Sequence, residues 1–279
     1  MQFEKWQALG NDYVILESAD LPWELTAERV KRICDPHFGV GSDGILLLSR
    51  GEGDDEVAEL RIFNPDGSEA ELSGNGARQA ALYVHRQGWT EAKTFSIRTA
   101  AGIVTPTITS PRTATMEIGR AATASDDYPS GRADGYGTLS AGGREWSFQH
   151  VSIGNPQCAI EVADGLEELD LAAIGPHIER HELFPNRTNV SFFRVEDGRV
   201  RARIFERGVG ETLSSGTGAS GAAVAAHLRG TPSPITVILE GGEVEVEISG
   251  DLDVRLSGWA EAVCSGQLSE ELLAALERA

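Results

Sequence analysis

Arg61-Ile62-Phe63 through Ser73-Gly74-Asn75-Gly76-Ala77 recurs without a gap 142 residues later, as Arg203-Ile204-Phe205 through Ser215-Gly216-Thr217-Gly218-Ala219. A second echo, Leu9-Gly10-Asn11 and Ile153-Gly154-Asn155, keeps the same order at an offset of 144. Two matches at nearly one offset describe a chain built from two copies of one unit. The 279 residues accommodate two domains of roughly 130 each, large enough for separate cores. We place the first over residues 1–118 and the second over 119–262, with the tail 263–279 returning to pack on the first. The Gly- and Ser-rich stretch from Ala121 to Gly143 holds the crossover and a loop or hairpin.

Strand-like runs dominate: Tyr13 to Glu17, Gly44 to Leu48, Leu60 to Phe63, Thr94 to Arg98, Ile103 to Ile108, Trp146 to Val151, Thr188 to Arg194, Val200 to Phe205 and Ile235 to Leu239. The alternation Glu243-Val244-Glu245-Val246-Glu247-Ile248 reads as a half-exposed strand. Helices are expected over Thr26 to Cys34, where Thr26 is the cap, over Gly76 to Arg86 and Gly218 to Arg229 after the Gly-rich turns, and over Leu268 to Arg278. Many strands and few helices make the fold class α+β.

Charge and cysteine usage narrow the partners. A formal net charge of −19 works against nucleic acid or an anionic membrane, because phosphate binding needs clustered Lys and Arg. No stretch approaches the ~20 apolar residues that span a bilayer, and Phe3-Glu4-Lys5-Trp6 opens a strand-like pattern rather than a signal peptide, so a cytoplasmic protein is expected. Cys34, Cys158 and Cys264 are odd in number, lack metal-like spacing and read as small buried residues. His177 and His181 lie four apart in Pro-His-Ile-Glu-Arg-His without the zinc-protease order, and read as part of a solvated, charged helix.

In each half a strand ending in Arg-Ile-Phe leads through a polar loop to Ser-Gly-(Asn or Thr)-Gly-Ala and an Ala-rich helix. Glycine lets backbone N–H groups turn toward a ligand, and the first helical turn adds unpaired donors and a dipole that favours anions. A carboxylate suits such a loop, although one such loop alone is equally well explained as a tight turn under a packed helix. Neither loop carries the Lys of a P-loop, no Gly-x-Ser-x-Gly elbow is present, and no histidine is placed by sequence to serve either serine, which points away from phosphate transfer and hydrolysis. Asn11, Asn64, Asn155, Asn189, Glu206 and Arg207 cluster around the loops; short amides in turns commonly bond their own backbone, whereas Glu206-Arg207 directly follows an apolar strand and offers a bidentate arginine to a carboxylate.

Ala8-Leu9-Gly10-Asn11-Asp12, Arg61-Ile62-Phe63-Asn64-Pro65-Asp66-Gly67-Ser68-Glu69, Gly74-Asn75-Gly76-Ala77-Arg78, Gly154-Asn155-Pro156 and Glu206-Arg207-Gly208 with Gly216-Thr217-Gly218-Ala219 resemble the diaminopimelate epimerase family, cofactor-independent amino-acid epimerases and racemases. The resemblance runs almost end to end. It implies two pseudo-symmetric domains, each a strongly curved mixed sheet around a central helix, with the active site in the interdomain cleft. It further implies an amino-acid substrate held by Asn11, Asn64, Asn155, Asn189, Glu206 and Arg207, backbone donors from Gly74-Asn75 and Gly216-Thr217 to its carboxylate, no metal or other cofactor, and a homodimer. Two copies of one loop acting from opposite sides suit inversion of a stereocentre.

The family moves the α-proton with two cysteines, and the matching positions here are Ser73 and Ser215. A thiol titrates near 8.5, and if an alcohol is about five units weaker, forming the alkoxide costs roughly 7 kcal/mol more. The histidine that usually follows Gly-Asn-Pro is Gln157, secondary cysteines are replaced by Gln79 and by Ser220-Gly221, and Gly44 stands where some relatives carry a polar side chain. Engineered Cys→Ser replacement would account for positions 73 and 215 but not for Gln157 or Gln79. Three readings follow: epimerisation of diaminopimelate with Ser73 and Ser215 as acid and base and Glu206 assisting; a divergent racemase or lyase acting on another amino acid; or a binding-only pseudoenzyme or Cys→Ser inactivated form.

Overall fold

The computed structural model describes residues 1–53 and 56–279, and the chain divides into two compact units, residues 1–116 with 258–279, and residues 117–257. The first unit opens with β1 (Gln2–Ala8) and β2 (Asn11–Glu17), then α1 (Ala27–Cys34), β3 (Ile45–Arg50), β4 (Glu56–Phe63), the short β5 (Glu69–Ala70), α2 (Gly74–Arg86), β6 (Ser96–Thr99), β7 (Gly102–Val104), β8 (Thr107–Ser110) and the start of β9 (Thr113–Arg120). The second unit holds β10 (Tyr136–Ala141), β11 (Arg144–Ser152), β12 (Pro156–Glu161), α3 (Leu171–Glu179), β13 (Asn189–Glu196), β14 (Arg199–Glu206), β15 (Gly210–Thr212), α4 (Gly216–Leu228), β16 (Ile235–Leu239), β17 (Gly242–Ile248) and most of β18 (Asp253–Trp259). The chain ends in β19 (Glu261–Gln267) and α5 (Glu270–Glu277), which belong to the first unit.

The repeat read from the sequence is a repeat of topology. In the first unit β1/β2 is antiparallel, β2/β3 parallel, β3/β4 antiparallel and β4/β6 parallel. In the second, β11/β12, β12/β13, β13/β14 and β14/β16 repeat that series step for step. Each unit adds one antiparallel strand outside the first of the series, β19 on β1 and β10 on β11, and a short strand, β5 or β15, just before its Gly-rich turn. Among the described residues, the mixed sheets and five α-helices make the α+β class expected from the strand count.

Each unit wraps its sheet around one helix. Residues 76–84 of α2 and 218–226 of α4 are all buried, and in α4 every one of them but Ser220 and Val224 is Ala or Gly, so strands approach closely on several sides. α4 lies against β11, β12, β13, β14, β16 and β17, and α2 against β1 to β4, which a flat sheet could not achieve. The strands beneath are consequently apolar on both faces. Leu46 reaches toward Gly76 of α2, while Ile45 and Leu47 pack with Val30 and Ile33 of α1 and Leu276 of α5. In the second unit Val190 and Phe192 join Trp146, Phe148, Phe184 and Phe205 in a core with Leu171 and Ile178 of α3. Among the described residues, no helix is long and apolar enough to cross a membrane.

Several expectations need correction. The run Ile103 to Ile108 is two strands, broken at Pro106, which has no N–H for a ladder. The central helices begin two residues earlier than expected, because the serines rather than the glycines cap them. The His177 and His181 pair does not share a helix: α3 stops at Glu179, and its Leu171, Gly175, Ile178 and Glu179 are buried rather than solvated. Cys34 and Cys158 are buried as expected, but Cys264 is exposed on β19, the end strand of its sheet.

A Cβ on Gly175 would lie 2.4 Å from the Phe205 ring. Gly175→Ala is therefore expected to lower the urea-unfolding free energy by about 1–3 kcal/mol, the usual cost of overpacking. Gly250→Ala, where an added Cβ meets nothing within 4 Å, is expected to stay within about 0.5 kcal/mol.

Candidate active site

The two serine loops have the same local construction. Ser73 (φ −132°, ψ 121°) and Ser215 (φ −142°, ψ 120°) are the extended N-cap residues of α2 and α4. Ser73 Oγ accepts from the Gly76 N–H at 3.1 Å and Ser215 Oγ from the Gly218 N–H at 3.3 Å. Each serine carbonyl takes the first intrahelical bond, from Ala77 at 2.8 Å and Ala219 at 2.9 Å.

The glycines of each loop have different duties. A Cβ on Gly76 would lie 3.1 Å from Leu46 Cδ2, and one on Gly218 would lie 2.8 Å from Ile204 Cδ1, so the second glycine of each loop lets the helix sit on its sheet. A Cβ on Gly74 meets nothing within 4 Å, and one on Gly216 comes no nearer than 3.7 Å, to Leu256. Space therefore lies open above the first helical turn, where the backbone donors and the positive end of the dipole suit a carboxylate.

The two hydroxyls differ in their other partner. Ser215, 5% exposed, donates to Glu206 Oε2 at 3.0 Å. The half-buried Ser73 accepts from the Tyr13 hydroxyl at 3.3 Å. Glu206 is the last residue of β14, and its carbonyl accepts from Val209 N–H in the turn leading to β15. A carboxylate is thus placed to take a proton from Ser215, and a phenol to give one to Ser73.

The remaining expected residues fall into small groups within each unit. Asn155 donates from Nδ2 to Thr217 Oγ1 at 3.2 Å and accepts at Oδ1 from Gln157 Nε2 at 2.6 Å. Gln157 is wholly buried and packs where Gly221 lacks a side chain, since an added Cβ would lie 2.9 Å from it. Asn189 accepts the Arg207 N–H at 2.9 Å and donates to the Pro156 carbonyl at 3.1 Å, tying β12 to the Glu206-Arg207 turn. The exposed Arg207 donates through its guanidinium to the Asn186 carbonyl at 3.0 Å.

In the first unit, Asn11 begins β2, where Gly10 holds φ +82°; Gly154 before Asn155 holds φ +70°. Asn11 donates to Asp43 Oδ2 at 3.0 Å, and its carbonyl accepts from Gln79 Nε2 at 3.0 Å. Asn64 behaves as a turn residue, donating from its amide to Ser68 Oγ at 3.0 Å and receiving the Gly67 N–H at its carbonyl. Asn75 accepts from Arg78 Nη2 at 2.6 Å.

Three positioning residues escaped the sequence reading. Arg78, 1% exposed, orients Asn75, and its guanidinium is pushed down to about 10 by burial. Glu179, 2% exposed, accepts the Gly208 N–H at 2.9 Å and is paired with Arg180 at 3.3 Å and Arg187 at 3.6 Å, fixing the turn after Arg207. Tyr13 supplies the contact to Ser73. Arg78 lies inside the recognised Gly-Asn-Gly-Ala-Arg run and could have been noticed there; nothing local marks Glu179 or Tyr13.

Comparison with known proteins accords with this arrangement. A family model described as diaminopimelate epimerase matches residues 3–124 and 149–260. The diaminopimelate epimerase 2 of Nostoc sp. is 40% identical over 280 residues, covering 98% of this chain and 98% of the relative. Among solved structures, a phenazine biosynthesis protein of the PhzF family from Bacillus anthracis aligns with a TM-score of 0.65 at 18% identity, covering 96% of this chain and 99% of that one. A hydroxyproline epimerase from Agrobacterium vitis aligns at 0.64 with 16% identity, covering 97% and 92%; at such identities the likeness concerns the fold alone. With its repeated sheet-and-helix unit, paired serine-capped glycine loops and end-to-end sequence similarity, this chain belongs to the diaminopimelate epimerase family.

Proposed function

We propose that this protein is an isomerase that inverts the α-carbon of an amino acid, LL- to meso-diaminopimelate in lysine biosynthesis, by two-base proton transfer without pyridoxal phosphate. Ser73 and Ser215 occupy the acid and base positions. Gly74-Asn75 and Gly216-Thr217 hold the carboxylate of the reacting carbon, and Asn11, Asn64, Asn155, Asn189, Glu206 and Arg207 hold the remaining polar groups of the substrate. A cytoplasmic homodimer belongs to the same reading and rests on the family.

The observation that carries the proposal is the 3.0 Å bond from Ser215 Oγ to Glu206. A free serine alkoxide is costly by the several units that separate an alcohol from a thiol. When the α-proton moves to Ser215 Oγ as the hydroxyl proton moves to Glu206 Oε2, one C–H and one O–H bond break, two O–H bonds form, and no free alkoxide is required. The α-carbanion is stabilised as its charge spreads into the carboxylate, whose oxygens meet helix N-terminal donors. A proton delivered from the Ser73 hydroxyl to the opposite face completes inversion.

A binding-only protein is the second reading, and one observation favours it: both serine Oγ atoms cap their helices, a role that needs no chemistry. Turnover separates the two. Purified protein is expected to epimerise LL-diaminopimelate, with kcat reduced about 10²–10⁴-fold by Ser215→Ala, by Ser73→Ala and by Glu206→Gln, the range of a lost acid–base group. Substrate binding by calorimetry without turnover would favour the binding protein, and neither binding nor turnover would point to another amino acid.

Arg207→Lys is expected to raise KM about tenfold with a smaller effect on kcat, because an ammonium cannot reproduce a planar bidentate fork. Steady-state kinetics checks this split.

A further inference from the structure

The two units are alike enough that their differences can be located residue by residue. At the offset of 142 that relates Ser73 to Ser215, Glu206 corresponds to Asn64. At the offset of 144 that relates Asn11 to Asn155, Tyr13 corresponds to Gln157. Each serine therefore has an ionisable hydrogen-bond partner, but from a different place in the repeat. Ser215 has the carboxylate that ends β14, with an amide, Gln157, at the β12 position; Ser73 has the phenol of β2, with an amide, Asn64, at the end of β4.

We infer that Tyr13 is the proton-supplying partner of Ser73, a positioning residue that makes the first loop the acid arm while Glu206 makes the second loop the base arm. The inference rests on the epimerase reading above. Its geometric basis is the 3.3 Å bond in which the phenol donates and Ser73 Oγ accepts, on a ring only 6% exposed.

The ring is held in that direction by its surroundings. A Cβ on Gly44 would lie 2.8 Å from Tyr13 Cε1 and 2.3 Å from the Phe63 carbonyl oxygen, so Tyr13 fills the volume that the missing side chain leaves. The Gly44 carbonyl accepts the Val14 N–H at 3.0 Å, locking that glycine against the next residue of β2. The absence of a side chain at Gly44 and the presence of a phenol at Tyr13 are thus one packing arrangement. Ser73 in turn is fixed by capping Gly76.

The chemistry follows from acidity. A phenol titrates near 10, several units below an aliphatic alcohol. As Ser73 gives its hydroxyl proton to the α-carbanion, the O–H bond of serine breaks and the C–H bond forms. In the same step the phenol proton passes to Ser73 Oγ, so the O–H bond of tyrosine breaks, that of serine re-forms, no free alkoxide is formed, and the charge rests on the phenolate until solvent returns a proton. Proton release from Glu206 to solvent completes the cycle, with no oxidant or co-reactant involved. The two arms start in opposite protonation states, as two-base inversion requires of any pair, and here two different side-chain types set them.

Two measurements on the full chain test this. Tyr13→Phe, which keeps the ring and removes the hydroxyl, is expected to reduce kcat for diaminopimelate epimerisation about 10²-fold, the lower end of an acid–base contribution, with KM nearly unchanged and the alkaline limb of the pH profile displaced. Equal effects on kcat and KM with an unmoved pH profile would mean a packing role and overturn the inference.

The second measurement does not depend on turnover. In Ser73→Cys, the pH dependence of alkylation at position 73, followed by mass spectrometry, reports the thiol pKa, and adding Tyr13→Phe is expected to raise it by about one unit through loss of a donor to the thiolate. An identical alkylation profile with and without the phenol would overturn the inference whatever the activity. A shifted profile in a chain that epimerises nothing would leave the Tyr13 contact standing and remove the epimerase reading instead.

Discussion

A serine hydroxyl closing the first turn of a buried helix is the interaction around which each half of this protein is arranged. α2 and α4 are enclosed by their sheets over residues 76–84 and 218–226, and at each N-terminus a serine side chain takes one of the orphan N–H groups. The cap places Ser73 and Ser215 at the meeting point of strand, glycine turn and helix dipole. The second glycine lets the helix approach Leu46 or Ile204, and the first leaves space above the turn. Burial of the helix, exposure of its first donors and position of the hydroxyl are thus consequences of one local geometry, used twice.

Duplication supplies two similar hydroxyls, and the strands that flank them supply the difference. A direct serine base faces a barrier several units of acidity higher than a thiol. Ser215 donates to a carboxylate, Glu206, and Ser73 accepts from a phenol, Tyr13, so the two hydroxyls have partners of opposite hydrogen-bonding sense. The surrounding amides have settled structural tasks as well: Gln157 orients Asn155, Asn189 holds the Arg207 backbone, and Gln79 holds the Asn11 carbonyl. Each of these short side chains is held in place by its neighbours through a hydrogen bond.

Much of this was legible in the residues because it is local. The exact spacing of the Ser-Gly-x-Gly-Ala runs announced two strand-turn-helix units, and the alternation over Glu243 to Ile248 appears in β17 as alternating exposure and burial. Glu206 stood out in the residues as the one obvious ionisable group remaining beside the serines, and its carboxylate accepts from Ser215 Oγ. Tyr13 did not, because its contact with Ser73 joins residues 60 apart through a parallel β2/β3 pairing and a missing side chain at Gly44. Glu179 was hidden for a similar reason: its acceptor role depends on the fold bringing α3 beneath the Gly208 turn. The histidine pair misled because spacing alone cannot reveal that α3 stops before His181.

The central claim, that separate groups serve the two faces of the substrate, is tested most directly by the early distribution of solvent deuterium. LL-diaminopimelate is incubated with the protein in D₂O, and isotope content is measured separately in residual substrate and in the first few per cent of product. Two arms predict deuterium at the inverted α-carbon of the product and almost none in the remaining substrate, because the group that removes the proton is not the one that delivers its replacement. Substantial early deuterium in unreacted substrate would contradict the account, since it requires one exchanging group to return solvent protons to the face from which it took them.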